Sequence, residues 1–159
     1  MTALPILEGR YAASMDFYPQ QSKEFTRIWP FYEHLKQGRF TTTRCRACGR
    51  RSFPPRAICS NCYSEDMEWV DLPTRGKVLV LTEEVQGVPL GFEAPLIHAL
   101  VDLQGEMTMF VRLVNCQPGE VREGDEVRLV VFPIPEVPQE TRSGVIKQER
   151  VYYAFEPVR

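Results

Sequence analysis

The sequence predicts a mainly β protein, built from an N-terminal arm and short helix, a metal-stapled ribbon, and a small barrel of five strands. Two observations carry this. Two Cys-x2-Cys pairs, Cys45/Cys48 and Cys59/Cys62, stand ten residues apart. After them come five β-rich runs, parted by Gly, Pro or acidic turns and without a helical period among them. The expected division is 1–38 for arm and helix, 39–72 for the ribbon and 73–159 for the barrel.

Residues 1–21 mix Pro, Gly and isolated aromatics (Tyr11, Phe17, Tyr18) with no period of either kind. They read as an extended arm whose aromatics pack on something. In residues 22–37, Phe25, Ile28, Trp29, Tyr32 and Leu35 recur at spacings of three and four, which puts them on one helical face. Pro30 breaks that pattern, because proline fits the opening of a helix better than its interior. The expected helix therefore covers residues 30–37 and is closed by Gly38.

The two cysteine pairs can set four thiolates tetrahedrally around one ion. Gly49, just after Cys48, suits a knuckle turn that needs a positive φ. A closed tetrathiolate set is soft and leaves no position for water, so it selects zinc in a structural role. Two disulfides and a rubredoxin-type iron centre are the rival readings. Arginine is dense here, with Arg39, Arg44, Arg46, Arg50, Arg51 and Arg56 in one stretch. These cations either offset the negative charge of a tetrathiolate centre or meet a phosphate-bearing ligand or acidic partner.

The five runs are 76–85, 94–103, 107–114, 126–132 and 150–157. In the second, Ile97, Ala99, Val101 and Leu103 alternate with His98, Leu100 and Asp102. Closing such strands into a barrel removes exposed edges. The Gly/Pro-rich loop 86–95, with Leu90 and Phe92, is either a plain connection or a contact for a ligand or partner. Residues 133–148 read as a long polar loop or a protruding hairpin.

Composition bounds the function. The chain has 159 residues, 43% of them hydrophobic, with 19 Lys+Arg against 21 Asp+Glu. That is enough apolar residue for a packed core, and the near-balanced charge argues against a general polyanion binder. No apolar run approaches the roughly 18 residues of a membrane span, and the first residues lack the pattern of a secretory signal. A soluble cytoplasmic protein is expected.

Catalytic options are few, because His34 and His98 are the only histidines. His34 is expected on the polar side of the helix, and His98 as a packing residue within its strand. Cys116 stands apart from both, and no Ser-His-Asp order, Walker loop or Gly-x-Gly-x-x-Gly occurs. No catalytic residue is assigned.

The order of these features resembles the DUF35 family, acyl-CoA-associated OB-fold proteins with a rubredoxin-like zinc ribbon, and within it the subunits that accompany thiolases. The resemblance covers about residues 30–157. It rests on the knuckles, Pro54-Pro55 between them, Gly124-Asp125 before a strand, and an aromatic-rich last strand. The resemblance implies a non-catalytic accessory subunit, in a hetero-oligomer with a thiolase-fold enzyme that acts on acyl-CoA. It implies structural Zn²⁺ on Cys45, Cys48, Cys59 and Cys62. It also implies a CoA ester shared by the complex, whose phosphates Arg46, Arg50, Arg51 and Arg56 are suited to hold. A MaoC-type enoyl-CoA hydratase or an aldolase is the alternative partner. Single-stranded nucleic-acid binding is the alternative function, favoured by the module types but not by the few cations on the strands.

Overall fold

The computed structural model describes residues 18–89, 92, 94–136 and 138–159. The expected arm falls largely in 1–17, outside the described residues. Its end packs as expected: the Tyr18 ring meets Tyr152 edge-on at 5.1 Å. Gln21 is fully buried, its amide donating to the Val151 carbonyl and accepting from the Val151 N–H.

Helix α1 covers Trp29–Lys36, with Pro30 in its first turn. The chain before it makes only an isolated turn, in which Phe25 and Thr26 N–H groups donate to the Ser22 carbonyl. Phe25 therefore lies outside the helix and is exposed, and Trp29 at the start of α1 is exposed as well. The buried face is Phe31, Tyr32 and Leu35. The three-and-four spacing ran through Pro30 in sequence, but the helix phase is set only after the proline breaks the backbone ladder. Gly38 ends α1 at φ +73°, where its N–H bonds the Leu35 carbonyl and that of Arg39 bonds the His34 carbonyl. These paired bonds satisfy carbonyls that the last turn leaves without a partner.

The ribbon is a three-stranded sheet in the order β2-β1-β3, with β1 Thr41–Cys45, β2 Arg51–Ser52 and β3 Met67–Asp71. Thr41, Thr42 and Thr43 are all buried, so each hydroxyl needs a partner. Thr41 Oγ1 meets His34 Nδ1 at 2.9 Å, Thr42 donates to the Ser52 carbonyl, and Thr43 donates to the Arg56 carbonyl at 3.0 Å. The threonines thus tie β1 to the helix, to β2 and to the inter-knuckle loop.

The remaining strands are β4 Arg75–Glu84, β5 Leu96–Asp102, β6 Thr108–Leu113, β7 Glu126–Ile134, and β10 Arg150–Pro157. They close into a barrel in the order β10-β6-β5-β4-β7. Strand β4 pairs with β7 at its start and with β5 along its length, and a bulge at Val78/Val80 lets it turn between them. The small hairpin of β8 (Gln139–Thr141) and β9 (Gly144–Ile146) lies between β7 and β10, as the hairpin reading of residues 133–148 anticipates. The barrel interior holds Val78, Ala99, Val101, Leu103, Val127 and Phe155. Among the described residues no helix is long and apolar enough to cross a membrane.

Candidate metal centre

Each cysteine pair wraps a tight turn closed by one backbone bond. The Gly49 N–H donates to the Cys45 carbonyl at 2.8 Å, and the Tyr63 N–H to the Cys59 carbonyl at 3.1 Å. Both residues are left-handed, Gly49 at φ +75° and Tyr63 at φ +59°. The two knuckles are thus equivalent in backbone although only one carries glycine. Tyr63 gave no sequence signal, because a tyrosine rarely adopts this conformation.

The turns bring all four Sγ atoms within 4.8 Å of one another. Cys45 and Cys62 are 3.5 Å apart and Cys48 and Cys59 3.6 Å, and all four are free thiols. Four thiolates on a tetrahedral zinc at its usual bond length stand about 3.8 Å from each other. The cluster is close to that spacing and no two sulfurs stand at bonding distance, so the donor set fits zinc.

The surroundings favour thiolate. The Cys59 thiol is pulled down to about 6 by the backbone N–H groups of Cys62 and Asn61, and Cys48 is lowered by the Arg50 N–H. Cys62 receives the Ser64 N–H, yet its thiol neighbours push it up to about 12. Four such groups crowded together cannot all ionise without a cation. Cys45 and Cys59 are buried, while Cys48 and Cys62 are exposed at the tip.

The arginines divide into two sets. Arg44 and Arg46 both donate to the Glu68 carboxylate, at 2.7 and 3.1 Å, and Arg46 also faces Asp66 at 3.8 Å. Arg39 grips Asp71 with two bonds, and Arg51 pairs with Glu106 of the barrel. Arg50 and Arg56 are exposed, and no ion pair is recorded for either among the described residues. Of the four arginines singled out in sequence, two are thus neutralised by carboxylates.

His34 is half-buried at the edge of the helix's buried face. It bridges α1 to Thr41 and meets the Trp69 ring edge-on at 5.3 Å. Burial, with the charge of Arg39, lowers its basicity. His98 points to the outside of β5, where its ring stacks on Phe110. Cys116 is half-buried, and burial together with Glu120 pushes its thiol up, which makes it a poor nucleophile. Leu90 of the 86–95 loop lies outside the described residues.

This architecture has known counterparts. The ChsH2 rubredoxin-like zinc ribbon domain matches residues 33–68, and the ChsH2 C-terminal OB-fold domain residues 69–132. A DUF35 domain-containing scaffold protein of Methanocaldococcus jannaschii is 31% identical over 146 residues, covering 89% of this chain and 96% of that one. The benzoylsuccinyl-CoA thiolase subunit BbsA of Thauera aromatica is 32% identical over 102 residues, covering 64% of this chain and 67% of its own. Among solved structures, the Ltp2-ChsH2(DUF35) aldolase superposes with a TM-score of 0.61 at 24% identity, over 88% of this chain and 98% of that one. That likeness establishes the fold. With ribbon and barrel matched in order and a relative aligned almost end to end, this chain belongs to the DUF35 family of zinc-ribbon and OB-fold proteins.

Proposed function

We propose that the chain is the non-catalytic, zinc-stapled accessory subunit of a thiolase-fold acyl-CoA enzyme. In this reading it is required for assembly of the hetero-oligomer and shapes the acyl-CoA site during thiolytic cleavage or formation of a carbon–carbon bond. The carrying observation is the joint presence of a closed four-thiol cluster and a barrel in one chain similar to scaffold proteins and to a thiolase subunit. A reduced cytoplasmic setting keeps the four thiols available to metal.

Cys45, Cys48, Cys59 and Cys62 would hold the zinc. When bound, it supplies a cross-link between the knuckles, with no open position for chemistry. The residues of this chain then position surfaces: residues 39–72 as the stapled module, residues 73–159 as the barrel wall. For the CoA phosphates, Arg50 and Arg56 are the first candidates, because Arg46 and Arg51 already face carboxylates.

Affinity capture of the tagged full chain from its native host tests this reading, with co-purified chains identified by mass spectrometry and zinc measured on the same eluate. A stoichiometric thiolase-fold chain and one zinc per copy are expected. A hydratase or aldolase chain would reassign the reaction, and bound nucleic acid without an enzyme would overturn the proposal. Charge reversal at Arg50 and Arg56 is expected to weaken CoA-ester affinity of the assembled complex, and unchanged affinity removes them from the site.

A further inference from the structure

The two knuckles share a backbone but differ at the residue that closes it, Gly49 in the first and Tyr63 in the second. Glycine adopts the left-handed conformation freely, whereas a tyrosine does so at a cost. Burial of the ring does not offset that cost, because Tyr63 is 78% exposed. Backbone held off its preferred conformation for no gain in packing is a mark of function. Cys59 fixes the turn from both sides, its carbonyl accepting from the Tyr63 N–H and its N–H donating to the Ser64 carbonyl at 2.9 Å. Ile58, next to Cys59, is 43% exposed as well. A rigid turn thus presents two apolar side chains to solvent.

Charge at the tip is uneven. Arg39 meets Asp71, Arg44 and Arg46 meet Glu68, and Arg51 meets Glu106. Arg50 and Arg56 are exposed, and among the described residues no ion pair is recorded for either. The sulfurs do not occupy them: Cys48 accepts from the Arg50 backbone N–H, Cys59 from those of Cys62 and Asn61, and Cys62 from that of Ser64. Both guanidinium groups are left to meet something outside the chain. Tyrosine and arginine are enriched among the few residues that dominate binding between proteins.

We propose that the knuckle tip is the face by which this chain docks on its enzyme subunit: Tyr63 and Ile58 enter an apolar pocket of that subunit, and Arg50 and Arg56 meet carboxylates at the pocket's rim. The inference rests on the accessory-subunit reading for the partner and adds the docking face and its chemistry. Preorganisation by the closed turn favours such an anchor, since little freedom is lost when it binds. A positive rim also suits CoA phosphates, so docking is measured with no CoA ester present.

The probe is the enzyme subunit that affinity capture recovers with the full chain, separated from it and recombined on a biosensor surface. Tyr63→Gly is expected to weaken binding by about tenfold or more. The melting temperature of the free chain should hold or rise, because glycine relieves the left-handed backbone. Arg50→Glu combined with Arg56→Glu is expected to slow association and flatten its dependence on salt, with zinc content unchanged. The proposal is overturned if a folded Tyr63→Gly binds like the wild type, or if the charge-reversed chain associates at the wild-type rate with the wild-type salt dependence; the accessory-subunit reading survives either result. Should Tyr63→Gly melt early, the charge-reversed chain decides. If capture recovers no enzyme subunit at all, both readings fall.

Discussion

Among single residues, Glu68 shows how the charge around the knuckles is arranged. Hydrogen bonds from Arg44 and then Arg46 hold its carboxyl below the usual carboxylate range. A carboxyl whose folded-state pKa is depressed adds stability above its unfolded pKa, and that stability is lost as pH falls through the folded value. Glu68→Gln should therefore lower the melting temperature most at neutral pH, and the difference from wild type should vanish in acid. Melting curves across that range check this; a pH-independent difference would mean that packing, not charge, is responsible. Tyr63 gives a second test. Its left-handed backbone costs about 1 kcal/mol in a non-glycine residue. Tyr63→Gly should be tolerated to within about 1 kcal/mol, whereas the β-branched Tyr63→Val should destabilise.

At the level of elements, β1 and β4 carry the constraints that shape the molecule. Thr42→Val keeps the shape of the side chain but leaves the buried Ser52 carbonyl without its donor. A loss of about 1–3 kcal/mol is expected by denaturant titration. In β4, a Cβ at Gly76 would stand 2.5 Å from the Asp102 carbonyl oxygen and 2.6 Å from a Val101 methyl. Gly76→Ala must push strands apart where β4 passes between β5 and β7, at about 1–3 kcal/mol. The five barrel strands were legible in sequence because alternation reports burial directly: Ile97, Ala99, Val101 and Leu103 all face the core. The thiol cluster was legible because cysteine spacing is itself the geometry of a knuckle. The phase of α1 was not, since proline decouples the residues before it from those after. Nor was Tyr63 singled out, because nothing in the neighbouring residues reports a left-handed backbone at a tyrosine.

Over the whole molecule, the deciding feature is that ribbon, helix and barrel share one aromatic cluster. The Phe31 ring lies within 6.2 Å of Phe40, Phe53 and Tyr153, and Phe40 meets Phe155 of the barrel interior at 5.9 Å. These rings come from three separate segments, so no local pattern in sequence could have grouped them. Phe40 is fully buried at the centre. Phe40→Ala should cost about 3–5 kcal/mol, the usual loss for a large core aromatic. The same welding bears on the metal. A ribbon of this size folded alone would depend wholly on zinc. Here the aromatic cluster also anchors it to the barrel, and the Thr41–His34 bond ties it to α1. Removing zinc with a chelator should thus not peel the ribbon off as a separate early transition. It should lower the single cooperative unfolding transition of the whole chain, and Cys45→Ser should shift that transition to the same place and make it insensitive to chelator. Scanning calorimetry with and without chelator reads this directly. Two well-separated transitions after chelation would show that the aromatic cluster does not couple the two modules, and that the ribbon is held by its metal alone.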